Sequence, residues 1–144
     1  MKYTLIIGLS LLISCSKNAS DDPAKLTALT TGSWKLFSYT TDYQKDGFYE
    51  ENSYALMGEC NQDNFYTFQS DGNVIEDQGA IKCSGSDPQT RTLQWSFKEH
   101  QTQLLLGGTT YQIEDLSSTM LKLMATVPYN VIYTINEKLV YIKQ

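Results

Sequence analysis

From residue 33 onward this chain does not sustain helical spacing of its apolar residues; they alternate one in two, in short runs cut by turn residues. Trp34-Leu36-Ser38 alternates with Lys35-Phe37-Tyr39, and Leu93-Trp95-Phe97 with Thr92-Gln94-Ser96. Leu104 and Leu106 follow, then Tyr111-Ile113 against Gln112-Glu114 and Leu121-Leu123-Ala125 against Lys122-Thr126. Turn material separates the runs at Asp71-Gly72, 84–88, 99–101, Gly107-Gly108 and 128–130. The pattern predicts eight strands, at about 33–42, 64–70, 73–82, 91–98, 102–106, 109–115, 119–127 and 130–143. Most links are short, so strands adjacent in sequence pair antiparallel. Eight such strands remove their unpaired edges by closing into an up-and-down barrel; a two-sheet sandwich is the alternative. The exception is residues 43–63, a long connection containing Tyr43, Phe48, Tyr49 and Tyr54.

Ahead of the strands, Asp22-Pro23 is a helix opening, a capping carboxylate followed by Pro at the first helical position. Leu26 and Leu29 lie three apart, and the short helix ends by Gly32. Further upstream the pattern changes. Lys2 precedes the apolar stretch 5–13, which is too short for the roughly 20 residues that span a bilayer. A charged start, a short apolar core and a small residue at Ser14 make the layout of an export signal over residues 1–14. Leu12-Ile13-Ser14-Cys15 resembles the lipobox of bacterial lipoproteins, which implies that Cys15 carries diacylglycerol and becomes the N-terminus. The alternative is a buried N-terminal strand with an incidental Cys. Residues 15–22 are polar and read as a lipidated tether, and 23–144 as one domain. The expected location is the outer membrane, on either its periplasmic or its outer face, with Cys15 holding the chain to the bilayer.

Removing Lys2 with residues 1–14 leaves ten basic side chains against sixteen acidic ones, with Arg91 the single arginine. So acidic a surface is a poor match to a phosphate backbone, and no nucleic-acid partner is expected. With Cys15 assigned to lipid, Cys60 and Cys83 remain, and an even pair in an exported chain reads as a disulfide. Folding the chain about a two-residue turn at Asp71-Gly72 sets Cys60 nominally opposite Cys83, although a bulge at Gly79 shifts that register by one. A metal site is the other use of two cysteines, but the one His, His100, is far away in a polar turn.

The tract around these elements resembles a family. A short helix followed by Gly32-Ser33-Trp34 is similar to the Gly-x-Trp start of lipocalins, which implies that Trp34 plugs the closed end of the barrel. Cys60, Phe65, Thr67, Phe68, Asp71-Gly72 and Cys83, with Trp95-Ser96-Phe97 and 104–106, resemble the small lipocalin-like lipoproteins of Gram-negative bacteria. Two departures stand out. Thr41-Asp42-Tyr43 repeats the letters of a later lipocalin motif but ends the first strand, and the late Arg that packs over the Trp has no counterpart. Lys138 or Lys143 would substitute with a cation–π contact.

No nucleophile elbow, phosphate loop or zinc spacing is present, and no catalytic residue, metal site or cofactor is expected. Asp63, Asp71 and Asp77 fall within one hairpin, where acidic tips are ordinary. What remains is a cavity or a surface. The inward candidates are Leu36, Leu93, Trp95, Phe97, Leu104, Leu106, Tyr111, Ile113, Leu121, Leu123 and Tyr133, which either line a pocket or fill the interior. Tyr43, Phe48, Tyr49 and Tyr54 are candidates for loop recognition. The expected function is membrane-anchored capture of a small hydrophobic or amphipathic ligand. The alternative is a filled barrel that binds or inhibits a protein partner at the cell envelope.

Overall fold

The computed structural model describes residues 22–144; the expected export signal and the expected anchor at Cys15 lie outside them. Helix α1 (Pro23–Thr30) leads into β1 (Trp34–Asp42). Two one-turn helices, α2 (Ser53–Leu56) and α3 (Glu59–Gln62), interrupt the long connection to β2 (Phe65–Phe68). Then come β3 (Asn73–Asp77), β4 (Thr90–Lys98), β5 (Gln103–Leu106), β6 (Thr109–Leu116), β7 (Met120–Pro128) and β8 (Thr134–Lys143). Every neighbouring pair is antiparallel and β8 pairs back onto β1, so the sheet is a closed eight-stranded up-and-down barrel. This architecture fits a calycin-like fold.

Besides a shift in the β6–β7 register between Ile113 and Asp115, two irregularities re-aim side chains. The β1–β8 register shifts between Leu36 and Ser38, leaving Phe37 as the extra residue, 62% exposed. A bulge reverses the alternation beyond it. Tyr39 and Thr41, rather than Ser38, therefore continue the buried row begun by Trp34 and Leu36. The second irregularity is the β2–β3 turn. Asp71-Gly72 does not form a two-residue loop: Gln69 pairs with Asn73, and Ser70-Asp71-Gly72 make a three-residue one. Gly72, at φ +90°, takes the left-handed position such a loop needs.

That loop moves the hairpin register by one residue, so the ladder runs Phe65–Asp77 to Phe68–Val74 and ends at Asp77, short of the expected 82. Cys60 and Cys83 are consequently not partners on paired strands. They are disulfide-bonded all the same, Cys60 from α3 and Cys83 from the 78–89 loop, with Cα atoms 5.0 Å apart. The bridge ties the long connection to the loop beyond β3.

The core is Leu29, Trp34, Leu36, Phe68, Val74, Trp95, Leu104, Leu121, Leu123 and Tyr141. At one end α1 lies across it. Asp22 caps the helix through Ala24 N–H, Pro23 occupies the first turn, and Leu29 is fully buried. Trp34, also fully buried, donates its indole N–H to Leu29 O at 2.9 Å. Lys143 Nζ sits 4.6 Å from the Trp34 ring centroid and donates to Ala28 O at 2.6 Å. Of the two lysines expected to make a cation–π contact with Trp34, Lys143 makes it. Lys138 faces Tyr49 and Glu114 instead.

Candidate functional site

Three regions offer chemistry: the barrel axis, the closed end under α1, and the open end where β1 finishes and β8 begins. Along the axis, ten of the eleven residues expected inward belong to the core or pack against it. Tyr133 does not. It falls one residue before β8, in the β7–β8 loop, and is 64% exposed, because Tyr129 and Asn130 bond back to its carbonyl and close the loop there.

The axis is occupied by rings. Trp95 stacks edge-on against Phe68 and Phe97 at 5.7 and 5.3 Å, and Tyr66 against Tyr141 at 5.6 Å. Nearer the open end the interior turns polar, which alternation alone did not announce. Glu76, 6% exposed, accepts from Asn64 Nδ2 (2.9 Å) and the Tyr66 hydroxyl (3.2 Å), and pairs with Arg91 at 3.0 Å. Between the paired strands β1 and β8 the Tyr39 hydroxyl donates to Glu137. Burial pushes the phenols of Tyr39, Tyr66 and Tyr141 well above their usual range and raises that of Tyr111, with the Glu76 and Glu137 carboxylates adding to the effect. One signal in the sequence marks this layer: Glu76 sits two residues after Val74, on the buried phase of its strand.

Two pockets stand out, and neither is lined by Leu104, Leu121, Leu123 or Tyr141. The larger, about 650 Å³, is a groove at the closed end between Pro23 and Leu26 of α1, Asp71 in the β2–β3 loop, Trp95 and Phe97 of β4, and Gln101. Its edge is a strained turn: Glu99, His100 and Gln101 all have left-handed φ, at 45°, 53° and 62°. Gln101 is held in it by α1, its Oε1 accepting from Asp22 N–H (2.8 Å) and its carbonyl from Lys25 Nζ (3.0 Å). His100 itself is exposed. The smaller pocket, about 420 Å³, is polar and lies beside the disulfide, with Asn64, Gln78 and Arg91 in its wall.

At the open end the four loop aromatics separate. Phe48 is 76% exposed and Tyr43 39%. Tyr49 is half-buried beneath the Lys138 ammonium at 4.6 Å, and Tyr54 is half-buried against the core. Tyr43 meets Tyr129 edge-on at 5.5 Å, and Lys45 Nζ donates to Thr134 Oγ1 at 2.9 Å, so the 43–48 and 129–134 loops stand together. The Tyr43 hydroxyl donates to Glu51, which pushes its pKa up to about 12. The second loop carries four exposed apolar residues, Tyr129, Val131, Ile132 and Tyr133, with Val131 completely bare.

No family model, curated protein or solved structure matches this chain.

Among the described residues, one group of carboxylates has the spacing of cation ligands: Asp42, Asp46 and Glu50 bring oxygens within 4.8 Å of one another. Asp42 is buried and already accepts from the backbone N–H groups of Lys45 (2.5 Å) and Gly47 (2.9 Å), which makes it the staple of its own loop. The hairpin aspartates also staple their own loops: Asp63 accepts from Ala80 and Ile81 N–H through Oδ2, its buried Oδ1 being left without a partner, Asp71 accepts from Asn73, and Asp77 from Gly79.

Proposed function

We propose that this chain is an anchored, filled β-barrel that holds a protein partner on the aromatic rim of its open end. The observation that carries this is the β7–β8 loop, where Val131, Ile132 and Tyr133 are fully to nearly two-thirds exposed beside Tyr43, Phe48 and Tyr129. A contiguous apolar patch on a protein surface costs solubility and marks a contact. Aromatic residues on loops held by a rigid scaffold suit recognition. Cys15 supplies the lipid anchor in this reading, and the cell envelope is the location. The closed end, where α1 begins, faces the membrane; the rim faces away from it.

A photo-crosslinking residue at Ile132, with Ser118 at the opposite end as control, tests the proposal in the native envelope. A discrete protein adduct from position 132 alone, lost when Phe48 and Tyr129 are both replaced by Ser, is expected. Equal adducts from both ends, or none from 132, overturn it. A second reading, capture of a small amphipathic molecule, draws support from the volume of the closed-end groove rather than from the barrel axis.

A further inference from the structure

We propose that the closed-end groove is the seat of one acyl chain of the protein's own N-terminal anchor. The inference rests on the lipidation of Cys15 and on four features of the groove. Its position comes first. Pro23 forms part of the groove wall, and Asp22 N–H is pinned to Gln101 Oε1 at its edge, so the chain leading to Cys15 departs from the groove itself. Cys15 lies seven positions before Asp22, a reach of about 25 Å at most. That is ample for an acyl chain on Cys15 to fold back.

Its surface comes second. Leu26 turns an exposed apolar side chain into it, and Trp95 and Phe97 line it from β4 among the polar Ser70, Gln94 and Ser96. The indole N–H of Trp95 is already given to Gln69 O at 2.9 Å, so the ring offers the groove only its apolar body.

Charge comes third, and it selects between alkyl chains of different origin. Asp71 stands on the rim, and the backbone and side-chain amides of Asn73 hold its carboxyl below the usual range. An ionised Asp71 repels the carboxylate of a free fatty acid. The chains on Cys15 are esters and an amide and carry no such charge. Concentration is the fourth feature: a ligand joined through so few residues is presented at roughly millimolar effective concentration, ahead of any dilute competitor.

The test uses the full acylated protein from cells fed brominated fatty acids, purified into bromine-free detergent. Bromine quenches indole emission only on contact, and the covalent chains are then its sole source. Mass spectrometry reads the acyl groups on Cys15, and fluorescence reads the tryptophans. Loss of the Trp95 share of the emission is expected relative to unbrominated protein. Trp95→Phe should leave a residual Trp34 emission that bromine does not touch. Leu26→Arg, at an exposed helix position, should restore the emission while circular dichroism stays unchanged. Acylated protein whose Trp95 emission is blind to bromine overturns the groove assignment alone. A mass without acyl groups overturns the anchor, and the assignment with it. Recovery of emission on adding sub-millimolar laurate gives the groove to a diffusible amphiphile and overturns the proposal as well.

Discussion

Lys143 and Trp34 close the barrel from within: the ammonium lies 4.6 Å from the indole centroid while donating to Ala28 O, so one side chain joins β8, β1 and α1. Lys143 and Trp34 are also backbone partners at the ends of their strands. Partial burial lowers the Lys143 pKa, as expected for an ammonium taken from water, and the aromatic face and the carbonyl offset that cost.

Trp34→Ala removes the largest fully buried side chain and leaves Leu29 O without its donor. A loss of about 3–5 kcal/mol is expected in urea unfolding, the range of other large aromatic truncations. Loss of less than 1 kcal/mol would mean that α1 does not depend on the Trp.

Reducing or replacing the Cys60–Cys83 bridge, which closes 23 residues, should cost about 3–4 kcal/mol in the chain-entropy model. Non-reducing peptide mapping should recover the two cysteines in one linked peptide pair. The barrel should survive with a lower Tm, because neither cysteine lies on a strand. Collapse of the far-ultraviolet spectrum on reduction would contradict this.

Alkaline titration should find Tyr39, Tyr66, Tyr111 and Tyr141 silent while the barrel is folded. Their folded pKa values are raised above the unfolded value near 10, so the unfolded chain releases protons first. Stability is therefore intact below pH 10 and falls above it. Tyrosinate absorbance should appear together with unfolding. Gradual ionisation of these four in a folded barrel would contradict the filled interior.

Asp42 carries the opposite sign. Burial raises its pKa, but the N–H groups of Gly47, Lys45 and Asp46 and the Asn136 amide outweigh that, and the folded carboxyl titrates below the usual range. Its contribution is present above about pH 4 and lost as pH falls through the folded value. Asp42→Asn should lower Tm at neutral pH and flatten the acid limb of the stability profile. An unchanged acid limb would leave the loop staple without energetic weight.

The strand count and the pairing order were legible in the sequence, because a period of two and the turn residues between runs are local signals, while closure into a barrel rather than a sandwich was settled by the pairing of β8 with β1. The same locality made α1 readable from Asp22-Pro23, and the pairing of Cys60 with Cys83 legible from their even number.

Where each side chain ends up was decided by the tertiary structure. The bulge at Phe37 and the three-residue loop at Ser70-Asp71-Gly72 each shift a register by one residue, and no local pattern separates those turns from their neighbours. The first slip sends Tyr39 inward to Glu137, and the cysteines lie off paired strands because β2 begins at Phe65 and β3 ends at Asp77. Tyr133 leaves the core because β8 begins one residue after it, a boundary set by the loop's bonds to its carbonyl. The rim and the groove arise in the same way. Tyr43 and Tyr129 lie 86 positions apart, as Leu26 and Trp95 lie 69 apart, and only closure of the barrel brings each pair to one surface.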